Sequence, residues 1–76
     1  MDVIKLDLHG VRHEEARRQT IRFVEEHWDD GSELEIITGH SQRMKGIVMN
    51  VLEEYDLTYN IGRLFDVDGP RIITWT

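Results

Sequence analysis

Cysteine is absent from the 76 residues, positive charge is outnumbered, and no long apolar run occurs. Without cysteine there is no disulfide and no Cys-ligated zinc site. A chain this short would gain from such a staple, so its stability has to come from packing. Lys and Arg number 9 against 15 Asp and Glu, for a net charge of −6. That balance excludes a protein that binds polyanions over its whole surface, and any nucleic-acid site must be a local patch on an acidic body. No segment approaches the roughly 18 apolar residues that span a bilayer. Asp2 and Lys5 interrupt the start, so no signal peptide is read there. A cytoplasmic location and no membrane partner are expected. Hydrophobic residues make up 39% and charged residues 32% of the chain, the balance of a globular protein and not of a disordered one. The length allows one core, so residues 1–76 are expected to form a single domain.

The pattern along the chain alternates between two periodicities. Ile4, Leu6 and Leu8 are apolar and Lys5 and Asp7 polar, which is strand spacing. His9-Gly10 ends that strand. From about His13 to Trp28, Ala16, Thr20, Phe23, Val24 and His27 fall on one helical stripe. Asp29-Asp30-Gly31-Ser32 is a turn cluster. Leu34, Ile36 and Ile37 make a second short strand, broken by Thr38-Gly39, and Ser41 is a good helix N-cap. Met44, Ile47, Val48, Val51, Leu52 and Tyr55 form a second amphipathic stripe, with Gly46 a mild local cost. Leu57 to Phe65 reads as a strand containing Gly62, Asp66 to Pro70 as a hairpin turn, and Arg71 to Trp75 as the last strand.

The order is therefore β-α-β-α-β-β. Right-handed crossovers make the first two strands parallel. The expected fold is an α/β two-layer sandwich with two helices on one face of a four-stranded mixed sheet. Leu6 and Leu8 should face the helices, and Lys5, Asp7 and His9 the open side.

In an open α/β sheet, ligands bind at the carboxyl ends of the strands. Both parallel strands here end in a polar glycine turn that opens a helix: Asp7-Leu8-His9-Gly10 and Thr38-Gly39-His40-Ser41. Such turns offer backbone N–H groups and the positive end of a helix dipole to an anion. Arg12, Arg43 and Lys45 stand at the helix starts, where a cation is unfavourable unless an anion accompanies it. A phosphate-binding crevice is expected, with Gly10, Arg12, Thr38, Gly39, Ser41, Arg43 and Lys45 as its binding residues. Asp7, His9 and His40 are the candidate catalytic groups, because imidazole titrates near neutrality and Asp7 lies two residues from His9.

Each assignment has a plainer alternative. Asp7 and His9 could simply bond exposed backbone at a strand end. Ser41 could be only a cap. Arg18 and Arg22 read as a solvated face paired with neighbouring glutamates. Trp28 and Trp75 could stack on bases but read more simply as packing residues. His27 reads as a helix-face residue near the core. His13 follows His9 by four residues, but across a turn, so they are no helical metal pair. Asp7 alone, with no partner at useful spacing, makes a poor site for Mg2+ or Mn2+, and no cofactor is assigned.

Leu6-Asp7-Leu8-His9-Gly10 followed by Glu14-Glu15-Ala16, with Ile36-Ile37-Thr38-Gly39, His40-Ser41 and Gly46 further on, resembles the two signatures of the Smr (small MutS-related) domain. The element order matches as well, so the resemblance covers nearly the whole chain. It implies a nucleic-acid-binding module acting on RNA or DNA, with endonuclease activity, either RNA cleavage or DNA nicking, at the crevice between the two turns. For DNA, where water must attack, it would call for a metal such as Mg2+ or Mn2+. Two departures stand out. The second motif runs from Gly39 directly into His40 and lacks the family's usual second glycine, and Arg12 occupies a place where the family often has a threonine cap. No glycine-rich Walker loop is present, so the resemblance does not extend to an ATPase. The alternatives to cleavage are a non-catalytic nucleic-acid binder and a protein-interaction module using the acidic helix surfaces.

Overall fold

The computed structural model describes residues 3–62 and 70–76. Its elements are β1 (Val3–Asp7), α1 (His13–Glu26), β2 (Glu33–Ile37), α2 (Gln42–Glu54), β3 (Tyr59–Ile61) and β4 (Arg71–Trp75). The four strands form one mixed sheet in the order β1-β2-β4-β3. β1 and β2 are parallel, with Asp7 opposite Ile37. β4 is antiparallel to both β2 and β3. This is the α/β sandwich the periodicities predict.

Both helices bury one stripe against the same sheet face. Ala16, Thr20, Phe23 and Val24 of α1 and Met44, Val48, Val51 and Leu52 of α2 are buried. Ala16, Phe23, Val24, Met44, Val48 and Leu52 of these meet Leu8, Leu34, Ile36 and Ile72 in one apolar cluster. Thr20 is tolerated inside a helix because its hydroxyl donates to the Ala16 carbonyl at 2.7 Å. α2 stops at Tyr55 through a left-handed Asp56, φ 57°. There Asp56 N donates to Glu53 O at 3.1 Å and Leu57 N to Leu52 O at 2.9 Å. These paired bonds satisfy the last carbonyls of the helix.

On the sheet's other face, Glu35 and Arg71 form an ion pair in which both side chains are nearly buried. The expected strand from Leu57 to Phe65 is shorter in fact, Tyr59–Ile61. Its predicted continuation beyond Gly62, and the hairpin turn up to Gly69, lie outside the described residues. Among the described residues no helix is long and apolar enough to cross a membrane.

Candidate nucleic-acid interface

The two polar turns emerge side by side, because β1 and β2 are parallel neighbours. Leu8 N continues their ladder by donating to Ile37 O at 2.8 Å, and Val11 N then closes the first turn on Leu8 O at 3.0 Å. Gly10 and Gly39 sit at the bends with φ of +80° and +69°, a region where a β-carbon is strained. The gap between the turns is narrow: a β-carbon on Gly39 would lie 3.3 Å from Cδ2 of His9. The His9 imidazole therefore rests against the second turn, next to exposed His40. A separation of 30 residues in sequence becomes spatial adjacency through strand pairing.

Asp7 meets the main chain of His9. β1 ends at Asp7, and its Oδ1 accepts from the His9 backbone N–H at 2.9 Å. The carboxylate thus fixes the turn, which is the plainer of its two readings. Thr38 and Gly39 also differ from expectation. Both are buried, and both of their N–H groups donate to the Pro70 carbonyl, at 3.1 and 3.3 Å. The Thr38 hydroxyl reaches the Gly39 carbonyl at 3.1 Å. These two residues shape the second turn and anchor it to the start of β4; their amides are not presented to an anion.

Ser41 caps α2, accepting from Met44 N at 3.1 Å. The N-cap of α1 is Arg12, with no side-chain cap, since a guanidinium has no acceptor to offer the first-turn amides. Arg12 and Arg43 come together on the walls of an open groove of about 700 Å³ between the first turns of the two helices. Lys45 does not join them. Two residues along a helix turn it by about 200°, so Lys45 lies on the flank of α2 away from Arg43.

Beside Arg12 and Arg43 the groove is lined by Val11, His13, Glu14, Arg17, Ile47 and Asn50, none of them among the expected site residues. The signal was available, since His13 and Arg17 are four apart, and Arg43 and Asn50 seven apart, which places each pair on one helix stripe. Arg17 is held by Glu54 of α2, with Nη1 to Oε2 at 2.8 Å and Nη2 to Oε1 at 2.9 Å. That hydrogen bond, aided by the opposite charge, holds Glu54 below the usual carboxylate range and raises Arg17 further. Arg18 and Arg22 pair with Glu15 and Glu26 on the outer face, as expected of a solvated stripe. Trp28 and Trp75 are far less buried than packing residues would be, 51% and 39% exposed. Trp28 leans on Tyr55 with ring centroids 5.8 Å apart, and Trp75 Nε1 donates to Glu33 at 3.3 Å. His27 packs edge-on against Phe23 and pairs with Asp30 at 3.1 Å, a structural role.

Among the described residues, no three His, Asp or Glu side chains converge in a way that could hold a metal ion. Asp7 already commits one oxygen to the main chain. This donor set does not fit Mg2+ or Mn2+.

The chain thus combines a parallel βαβ unit, two adjacent glycine turns carrying His9 and His40, and a serine-capped second helix. The family model described as Smr domain matches residues 6–61. No curated protein and no solved structure matches the chain. Smr domains generally bind nucleic acid, and some are endonucleases. The match spans the end of β1, both turns, both helices, β2 and β3, and on that ground the chain belongs to the Smr domain family.

Proposed function

We propose that this Smr-like unit binds nucleic acid where the His9-Gly10 and Gly39-His40 turns meet, and that it cleaves RNA there. The observation that carries the reading is the seating of the His9 ring against Gly39. It sets the exposed His9 imidazole against the turn that carries exposed His40 and leads into α2, with Arg43 in its first turn. A phosphate at that position would be held by Arg43 and by the first amides of α2 that Ser41 leaves open.

In the cleavage step, neutral His9 takes the proton of an RNA 2′-hydroxyl. The 2′-oxygen forms a bond to phosphorus as the bond from phosphorus to the 5′-oxygen breaks. Protonated His40 returns a proton to the departing 5′-oxygen. The products are a 2′,3′-cyclic phosphate and a 5′-hydroxyl, and no metal or added reagent is required. Positioned acid and base groups of this kind contribute roughly 10²–10⁴ in rate.

Two observations favour a second reading, a non-catalytic binder. Asp7 bonds the His9 backbone rather than its ring, and the Thr38 and Gly39 amides go to Pro70. Both features reduce the groups available to a transition state without weakening a binding surface.

End-labelled single- and double-stranded RNA and DNA, incubated with and without Mg2+, separate the two. Cleavage of RNA without metal, leaving cyclic phosphate and lost in a folded His9→Ala variant, supports the reaction. Retained binding with no product from any substrate selects the binder. Absence of binding at low salt removes both in favour of protein interaction.

A further inference from the structure

We infer that the groove between α1 and α2 is a second backbone-phosphate position, taking the nucleotides that flank the one held at the turns. The inference rests on the nucleic-acid reading of the crevice and extends it in a direction that reading does not specify. The strand would leave the crevice over the helical layer, not across the open face of the sheet.

The groove begins at the crevice. Arg12 follows His9 by three residues and Arg43 follows Ser41 by two, and both line it. From there it runs along the helices. Arg17 lies four residues beyond His13, about 6 Å further along α1 at 1.5 Å per residue. Asn50 lies seven residues beyond Arg43, about 10 Å along α2. A nucleic-acid strand advances about 3.4 Å per phosphate along its helix axis, so the groove is long enough for two or more nucleotides. Its volume of about 700 Å³ is open rather than enclosed by protein, which suits a chain passing through.

The charge is arranged against the trend of the molecule. In a chain of net charge −6, the guanidinium groups of Arg12, Arg17 and Arg43 line one groove, where Glu54 pairs with Arg17 and Glu14 is the carboxylate among the lining residues. Glu14 neutralises little: its contact with Arg12 is 3.9 Å, and both side chains are about four-fifths exposed. Exposed pairs of that kind contribute little. Arg43 has no ion-pair partner among the described residues. Repulsion of Arg12 and Arg43 by the positive ends of the two helices would be relieved by a polyanion. Ile47 and Val11 give the groove an apolar component against which a sugar or base can pack, and the Asn50 amide both donates and accepts.

Glu54 sets the affinity of this position. It occupies the Arg17 fork with two contacts, at 2.8 and 2.9 Å, in the bidentate manner a phosphate would use. A strand binding here exchanges the carboxylate for a phosphate, and Glu54 is the competitor it displaces.

The test uses 2′-O-methyl oligouridylates, which bind without cleavage, as a dimer and an octamer. Affinity is measured by titration and location by amide NMR shifts in the full chain. Gly10 and His40 should respond to both lengths, and Arg17 and Asn50 to the octamer alone. Arg17→Gln should weaken the octamer roughly threefold at low salt and reduce the slope of log K against log salt by about 0.7, one phosphate of a single strand. It should leave the dimer unaffected. Glu54→Gln should tighten the octamer, which loss of a merely structural ion pair would not do. If the octamer moves Gly10 and His40 but not Arg17 and Asn50, and neither variant changes its affinity, the groove is overturned and the crevice stands. If Arg17 and Asn50 respond while Gly10 and His40 do not, the crevice falls instead. If no residue responds, both fall.

Discussion

Cδ2 of His9 lies 3.3 Å from the point that a β-carbon on Gly39 would occupy. The second turn needs glycine there for two reasons: φ of +69°, and the space taken by that ring. Gly39→Ala should cost about 1–2 kcal/mol from the left-handed backbone alone. It should also shift the His9 ring, so that RNA cleavage falls more than stability does. Thermal unfolding and His9 ring NMR signals check this, and an unmoved ring with unchanged cleavage would contradict it.

Ser41 is the side-chain cap of α2. Ser41→Ala leaves the Met44 amide without its acceptor and should cost about 1 kcal/mol. In a domain of this size that lowers Tm by roughly 4–8 °C. Ser41→Asp should retain the cap and much of the stability. It should nevertheless weaken oligonucleotide binding by placing a carboxylate at the phosphate position.

Arg43 stands in the first turn of α2 with no acidic residue there. Arg43→Ala should leave the ligand-free protein no less stable, since it removes a repulsion of about 0.3–1 kcal/mol with the helix end. Inorganic phosphate or a short oligonucleotide should raise the Tm of the wild type by mass action, less so in high salt and less in this variant. Lys45→Ala should matter less, because Lys45 is on another side of the helix. Equal losses from the two substitutions would argue against a localised site.

Stability should decline at both extremes of pH for reasons that can be assigned. The Ser32 backbone N–H, 2.9 Å away, holds the Asp30 carboxyl below its ordinary range, and the hydrogen bond from Arg17 does the same for Glu54. For such depressed groups the unfolded chain binds more protons in the acid range, so stability rises with pH there. Their contribution is complete above the unfolded carboxylate values of about 4 and is lost as pH falls through the lower folded values. Tyr55 and Tyr59 are raised by donating to Glu25 and Glu53, each at 2.7 Å. Their contribution is complete below the unfolded value of about 10 and is lost as pH rises through the higher folded values. Urea midpoints across pH read both limbs. Glu54→Gln should flatten the acid limb, and Tyr59→Phe the alkaline one.

The sequence by itself determined the elements and their handedness. Alternation over Ile4–Leu8, the two apolar stripes and the glycine turns are local patterns, and local patterns specify strands, helices and caps without reference to distant residues. Crossover handedness then made β1 and β2 parallel and brought His9-Gly10 beside Gly39-His40. Tertiary structure alone decided where the polar groups of those turns point. The Pro70 carbonyl, 31 residues from Gly39, takes the amides that the motif seemed to offer a phosphate. Asp7 turns back to the main chain because β1 ends there. Arg17 faces Glu54, 37 residues away, and with Arg43 it lines a groove that exists only once α1 and α2 pack together. Local preference acts between near neighbours, whereas hydrogen-bond and ion-pair partners are set by which segments the sheet brings within about 3 Å, and that choice is made by the whole core.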